Sequence, residues 1–443
     1  MSASTTSPPR VRAWIRTLWS DTIVRTTGFL TLTQGAVSVF GFVFWVLSAH
    51  LADANAVGKA TALVSASSLI ACLSVFGLGG TFMRFLPTSK DSDAMLNSGF
   101  IVCFSGALLV SLGYVELLPL VAPKLEFVQR SPLYTVEFVV FTAFNALNIL
   151  TDSVFLAYQK AKYIFWSDGV IQGSIKILAP FALIAAGVYA VYGAFGIFSS
   201  FGSAVLVDVV VSLALIVARL GYGPQLRVRL SALTRTLRYT ITTYAVTVLD
   251  IIPTLILPTV ALDGLGSRQA GYFYIAFQVA SIMSGVGVSI AVSALSEGAQ
   301  GHARLDEVVR RSRFVLAALV SPIFLIGLAL APWVLVIFGS AYRQHASGTL
   351  FVLVLAVPAV TLCQWSRALL QITKQLHSLL VSQFLYAAVV LGLSIAVVHK
   401  GTTWIAGAYL VGNLVAGIVA GVAFLLRGPQ FRDAALPTTE PTG

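Results

Sequence analysis

The sequence predicts an all-α polytopic membrane protein of twelve transmembrane helices, and three observations predict it. The composition is that of a bilayer-embedded chain. Of 443 residues, 57% are hydrophobic and only 10% are charged, with a mean hydropathy of +0.89. A soluble domain carries about 25% charged residues, so this chain lacks the groups to solvate a water-facing surface. Twelve apolar stretches then approach the ~20 residues that an α-helix needs to cross a hydrocarbon core. Finally, lysine and arginine occupy alternate gaps between those stretches. Of 28 basic residues, 21 fall on one side and six on the other, while Lys176 lies inside a stretch. The positive-inside rule assigns the richer side, and both termini with it, to the cytoplasm. Adding or losing one helix would destroy the alternation. The net charge of +11 is that of basic cytoplasmic loops and calls for no nucleic-acid partner.

The elements follow in order. Residues 1–25 read as a polar tail, MSASTTSPPR, with no cleavable signal peptide, and an interfacial amphipathic helix over 11–23. There Val11, Trp14, Ile15, Leu18 and Trp19 share one face and Arg12 and Arg16 lie off it. The first span, 26–49, carries Thr31, Thr33 and Gln34 but no charge. The second, 59–82, is opened by Gly58 and ends in VFGLGGTFMRFLP, where Gly77, Gly79 and Gly80 permit bending just before Arg84. The third and fourth, 97–121 and 134–157, are separated by Lys124 and Arg130, and Asp152 falls in the fourth. The fifth, 168–190, holds Lys176, and the sixth, 194–218, holds Asp208 near its middle.

A basic stretch, 219–238, is expected to link two halves. The seventh span, 239–262, contains Asp250 followed by Pro253 and Pro258, which are expected to bend or unwind it. The eighth, 270–296, opens at Gly271; the ninth is 314–338; the tenth, 348–372, contains Arg367; the eleventh is 377–398. The twelfth, 402–426, has Gly417 and Gly421 at helix-packing spacing. Residues 427–443 form a C-terminal tail. Cys72, Cys103 and Cys363 lie in apolar segments and read as small buried hydrophobes.

The two halves, 26–218 and 239–426, are expected to be six-helix bundles of equal orientation, related by a pseudo-two-fold axis along the membrane normal. AVGKATALVSASSLI (56–70) and QAGYFYIAFQVASIM (269–283) enter the second helix of each half in the same way. In such parallel repeats the substrate path lies between the halves.

Ionisable groups inside a bilayer are costly and mark paths or partners. Asp152 and Lys176 flank one hairpin at similar depth, either as a structural ion pair or as charges lining a cavity. Asp250 and Asp208 are candidates for coupling a proton or cation, with a neutral packing role as the alternative. Arg84 and Arg367 stand near the cytoplasmic mouth. They suit either a diphosphate, which a guanidinium grips bidentately, or lipid phosphates reached by snorkelling. Phosphate-loop, H-E-x-x-H and G-x-S-x-G motifs are absent from the sequence, so no enzymatic activity, resident cofactor or metal site is expected.

Two segments carry a family resemblance. VLSAHLADANAVGKATALVSASSLIACLSVFGLGGTFMRFLP (46–87) and DSVFLAYQKAKYIFWSDGVIQGSIKIL (152–178) resemble bacterial polysaccharide flippases. These are Wzx-like transporters of the multidrug/oligosaccharidyl-lipid/polysaccharide (MOP) superfamily. The first combines a short outer loop, a glycine opening the second helix, and a Gly-rich end leading to Arg84. The second has a basic turn and a lysine inside the fifth helix. The resemblance implies two six-helix bundles in a V that carry an undecaprenyl-diphosphate-linked oligosaccharide between leaflets. It also implies that Arg84, Lys176 and Arg367 attract the anionic head, and that a polysaccharide polymerase or export protein is a partner. The uncharged first span departs from lipid II flippases, which carry more arginines there and two further helices. Cation-coupled multidrug exporters of the superfamily share the helix count. A membrane glycosyltransferase or ligase would need a larger outer loop than this chain has.

Overall fold

The computed structural model describes residues 22–89, 91–187, 193–224, 230–299 and 305–427. The expected interfacial helix and both terminal tails lie essentially outside these residues. Among the described residues, twelve helices are long and apolar enough to cross a membrane, each where the sequence predicts one. They are α1 (Thr22–Leu51), α2 (Ala54–Ser74), α3 (Ser92–Val121), α4 (Pro132–Ala157), α5 (Ala161–Ala185), α6 (Ala194–Leu220), α7 (Leu230–Leu265), α8 (Ser267–Ala299), α9 (Leu305–Val334), α10 (Ser340–Ile372), α11 (Leu376–Val397) and α12 (Thr402–Arg427). The chain is a multi-pass membrane protein with an all-α fold. Below, the end holding the α1–α2 turn is called the outer end and the opposite one the inner end, after the charge pattern.

Local chemistry explains most boundaries. Asp53 caps α2, its Oδ1 accepting from the Ala56 N–H at 2.8 Å. Pro132 starts α4 where a backbone donor is not missed. The glycine-rich end of the second span does bend. Phe76 (φ 49°) and Gly77 (φ 74°) turn left-handed, and a separate short helix, Leu78–Phe85, carries Arg84.

Several elements depart from expectation; α9 begins at Leu305 rather than 314 and α10 at Ser340 rather than 348. The seventh helix begins at Leu230, inside the stretch read as a linker. The fifth span begins at Ala161 rather than 168, and over Phe165–Gln172 it widens into a π-helix. The unwinding expected in α7 does not occur: its helix runs on through Pro253 and Pro258. Each proline withholds one backbone donor, and the turns on either side hold.

The apolar core divides along the membrane normal. Toward the outer end one continuous core takes Phe44, Leu63, Phe138 and Phe198 from the first half and Leu257, Phe273, Leu335 and Val390 from the second. Toward the inner end the cores are separate. One is built on Val75, Phe82, Phe100, Val154 and Val209, the other on Val246, Leu369, Leu379 and Phe424. Among the described residues the apolar core is therefore shared at the outer end and split in two at the inner end, where α7 still packs against the short helix Leu78–Phe85.

Lipid tails are as apolar as leucine, so helices associate in a bilayer by close packing and hydrogen bonding. The outer seam shows both. The Ser267 hydroxyl donates to Asn55 Oδ1 at 2.6 Å. Lys124 Nζ donates to the carbonyls of Leu262 (3.0 Å) and Asp263 (2.9 Å). Trp45 packs edge-on against Tyr274, and Phe42 against Phe338.

Gly58 and Gly271 lie at the centre of this seam. A Cβ on Gly58 would fall 1.8 Å from the Ser267 carbonyl oxygen, and one on Gly271 would fall 2.4 Å from the Ala54 carbonyl oxygen. The contact is reciprocal: each glycine faces the residue four places before the other. Its register is the one in which 56–70 matches 269–283. One edge of the seam extends inward, where the Tyr244 hydroxyl on α7 donates to the Leu73 carbonyl on α2 at 2.5 Å.

Candidate functional site

Two polar clusters are set into the apolar bundle, one in each half. The first is built on α4, α5 and α6. Spacing by four places Asn148 and Asp152 on one face of α4, and Asp208 and Ser212 on one face of α6. On α5, Asp168, Gln172 and Lys176 make a ladder at the same spacing, and the π-helix covers its first two members. π segments are rare and often accompany functional sites.

Asp208 is fully buried. Its Oδ2 accepts from Asn148 Nδ2 and from Gln172 Nε2, the latter at 3.1 Å. Its Oδ1 accepts from the Ser212 hydroxyl at 3.4 Å. The same two amides donate to Asp168 Oδ1, Asn148 at 3.0 Å and Gln172 at 3.1 Å. Asn148 and Gln172 thus bridge two carboxyl groups. Asp152 stands against Asp168 and within electrostatic reach of Asp208, and its Oδ1 has no hydrogen-bond partner. Lys176 donates to Gln172 Oε1, and its ammonium lies 4.6 Å from the Phe201 ring centroid.

Asp152, Lys176 and Asp208 are therefore brought into one site, but Asp152 and Lys176 do not form the direct ion pair that their hairpin placement allowed. Lys176 reaches the carboxyls through Gln172. If all three carboxyls ionised, one ammonium would leave two charges unbalanced in a bilayer interior. Such a site calls for protons or a cation to complete it.

The second cluster joins α7 to α10. Arg367 Nη1 pairs with Asp250 Oδ2, with both side chains mostly covered. Gln364 closes the triangle, donating to Asp250 Oδ1 at 3.3 Å and accepting from Arg367 Nη1 at 3.4 Å. Arg367 is thus held by the very carboxylate that the sequence reading offered separately for cation coupling. Breaking the pair leaves a charge with low solvent access, so Asp250→Ala and Arg367→Ala should each destabilise the protein. The double variant should recover part of the loss, because stranding one partner costs on the order of 3–5 kcal/mol while removing both costs far less. Thermal unfolding in detergent checks this; additive losses would mean that the pair contributes nothing as a pair.

Arg84 belongs to neither cluster's helices. It is exposed on the short helix Leu78–Phe85, with its guanidinium 5.4 Å from the Phe85 ring centroid. The partners that sequence reasoning missed are Asp168, Asn148, Gln172 and Gln364. Hydropathy makes Asp168 the first residue of the fifth span; with α5 starting at Ala161 it lies two turns inside. The four-residue ladder Asp168–Gln172–Lys176 in an apolar helix was the available signal. Among the described residues no group of histidine, cysteine and carboxylate side chains is arranged to hold a metal ion.

Residues 62–347 match the family described as "Polysaccharide biosynthesis protein". Several solved transporters share the fold. The lipid II flippase MurJ in an inward closed conformation superposes with a TM-score of 0.70 at 14% identity, covering 90% of this chain and 87% of its own. A multidrug resistance MATE family transporter of the MOP superfamily matches in its inward-facing conformation with a TM-score of 0.63 at 13% identity, over 91% of this chain and 96% of that one. In the outward-facing conformation of such a transporter the TM-score is 0.61 at 14% identity, over 94% and 96%. At these identities the likeness is one of fold. No curated protein matches the chain.

Proposed function

The chain belongs to the polysaccharide biosynthesis protein family, and from that premise we propose that it is a flippase of the bacterial cytoplasmic membrane. Its substrate is an undecaprenyl-diphosphate-linked oligosaccharide, a precursor of cell-surface polysaccharide, which it moves by alternating access with no covalent step. The observation that carries this reading is the divided core. A core shared at one end and split at the other, with one polar cluster on each side, supports a cleft between the clusters, the geometry that a carrier rocking about its seam requires. The polyprenyl tail gains nothing by leaving lipid, so only the diphosphate and sugar enter the cleft.

In this reading both termini face the cytoplasm, the two bundles are related by a pseudo-two-fold axis, and the inner end is the cytoplasmic mouth. Arg84 meets the incoming anion there. Lys176 and Asp152 line the path on the first half, and Arg367 on the second. A diphosphate that competes for Arg367 displaces Asp250, which then takes a proton or sodium ion from the cleft. Asp208, inside the carboxyl cluster, binds the coupling ion in the other half. No cofactor beyond that ion is needed. A polymerase or export protein would consume the flipped precursor.

The buried carboxyl cluster favours a second reading, a cation-coupled multidrug exporter. Deletion of the gene separates the two. The flippase reading expects undecaprenyl-linked sugars to accumulate in the cytoplasmic leaflet, with loss of surface polysaccharide. Sensitivity to drugs without such accumulation would overturn it in favour of the exporter. In the same assay Arg84→Ala should lower export while the protein remains at normal levels in the membrane.

A further inference from the structure

A slot of about 680 Å³ opens between α9 and α10 in the second half; Thr361 and Trp365, which line it, flank Gln364 of the second polar cluster along α10. Its volume falls in the ~300–1,000 Å³ range of pre-formed ligand sites. Its mouth is formed by Arg310 and Arg313, one turn apart near the inner end of α9. Below them Phe314, Ala317 and Phe324 continue the same helix face, and Trp365 closes the slot from α10.

Arg310 and Arg313 are both exposed, and neither has an ion-pair or hydrogen-bond partner among the described residues. Thr361 also lines the slot, and its hydroxyl, on a residue only 6% exposed, is likewise unpartnered. Trp365, by contrast, is fixed: its Nε1 donates to the Ser312 hydroxyl at 2.9 Å. From Arg310 to Phe324 the helix rises roughly 21 Å. This is somewhat more than one leaflet's share, about 15 Å, of a ~30 Å hydrocarbon core.

We propose that this slot binds one anionic glycerophospholipid of the inner-end leaflet, its phosphate on Arg310 and Arg313 and an acyl chain along Phe314, Ala317 and Phe324. Charge complementarity selects the occupant. Two unpaired guanidinium groups at the membrane interface attract a phosphate bidentately, and a zwitterionic lipid brings a cation that offsets the attraction. The slot spans the depth of one leaflet, which suits an acyl chain better than the much longer polyprenyl tail of the transported substrate. The site is independent of what the protein carries through its cleft.

Trp365 supplies the readout. Full-length protein in detergent is titrated with phosphatidylglycerol or phosphatidylcholine carrying brominated acyl chains, and quenching is taken as the difference from a Trp365→Phe control. Phosphatidylglycerol should quench at least ten-fold more effectively than phosphatidylcholine. The R310Q/R313Q variant should abolish that preference, each arginine accounting for about five-fold. R311Q should keep it, because Arg311 does not line the slot. A317F, which fills the slot but leaves both arginines in place, should weaken quenching by both lipids. Equal quenching by the two lipids, or an unchanged preference in R310Q/R313Q, overturns the proposal. Displacement of phosphatidylglycerol by a sub-stoichiometric amount of undecaprenyl phosphate also overturns it, since the occupant would then be the carrier lipid.

Discussion

Replacing Gly58 with valine is expected to abolish transport and to part the outer end of the molecule. A side chain at 58 must displace the Ser267 carbonyl oxygen, 1.8 Å from its Cβ, and the Gly271 nitrogen, 2.8 Å away. These are backbone atoms of a helix and cannot swing aside as a flexible side chain would. Overpacking a tight contact costs about 1–3 kcal/mol, and here the cost falls only on the state in which the seam is closed. A bias of ~2 kcal/mol moves a two-state equilibrium about thirty-fold. Gly271→Val should act in the same direction, because the contact is reciprocal, and Gly58→Ala should be milder. The check is cross-linking. Cysteines at 55 and 267, whose native side chains share a hydrogen bond, should oxidise readily to a disulfide in the parent and slowly in the valine variants. Unchanged cross-linking together with unchanged export would show that this seam does not open during the cycle.

Much of the fold was legible because the bilayer writes it into the chain. Span number follows from length and hydropathy, and the Gly77 turn follows from a residue tolerant of positive φ. Gly58 and Gly271 were visible as matching positions in a weak repeat, yet no single sequence says that matching positions touch. That takes the seam. The site was only half legible for a related reason. Charges in apolar spans stand out, so Asp152, Lys176, Asp208, Asp250 and Arg367 are visible in the sequence as ionisable groups. Their partners Asn148, Gln172 and Gln364 are neutral amides and do not stand out. The separation of Asp250 from Arg367 by more than a hundred residues hid that they neutralise each other. A transmembrane helix can lose a donor and stay helical when the neighbouring turns hold, so the prolines of α7 do not unwind it.

The carboxyl cluster gives the other large expected effect. Lys176→Ala removes the one cation from a buried group of three carboxyls, and Asp208→Asn removes the charge best shielded from water. Both should reduce export at least ten-fold while leaving the protein in the membrane, since the apolar core around the cluster is untouched. They should differ in kind. Without Lys176 the carboxyls lose their standing counter-charge, so residual export should depend more steeply on the coupling ion. Without the Asp208 charge that demand falls, and export should lose its response to collapse of the proton or sodium gradient. Asn at 208 also presents an amide to the Asn148 and Gln172 amides that now donate to it. Its carbonyl oxygen can take the place of Oδ2 and accept from both, but its amide nitrogen then replaces the Oδ1 that accepts from the Ser212 hydroxyl, which must turn to accept instead. Export from membrane vesicles with imposed gradients separates the outcomes. An Asp208→Asn protein that still answers to the gradient would place ion coupling elsewhere, with Asp250 of the second cluster as the next candidate. A Lys176→Ala protein exporting at the parental rate would remove the lysine from the transport path.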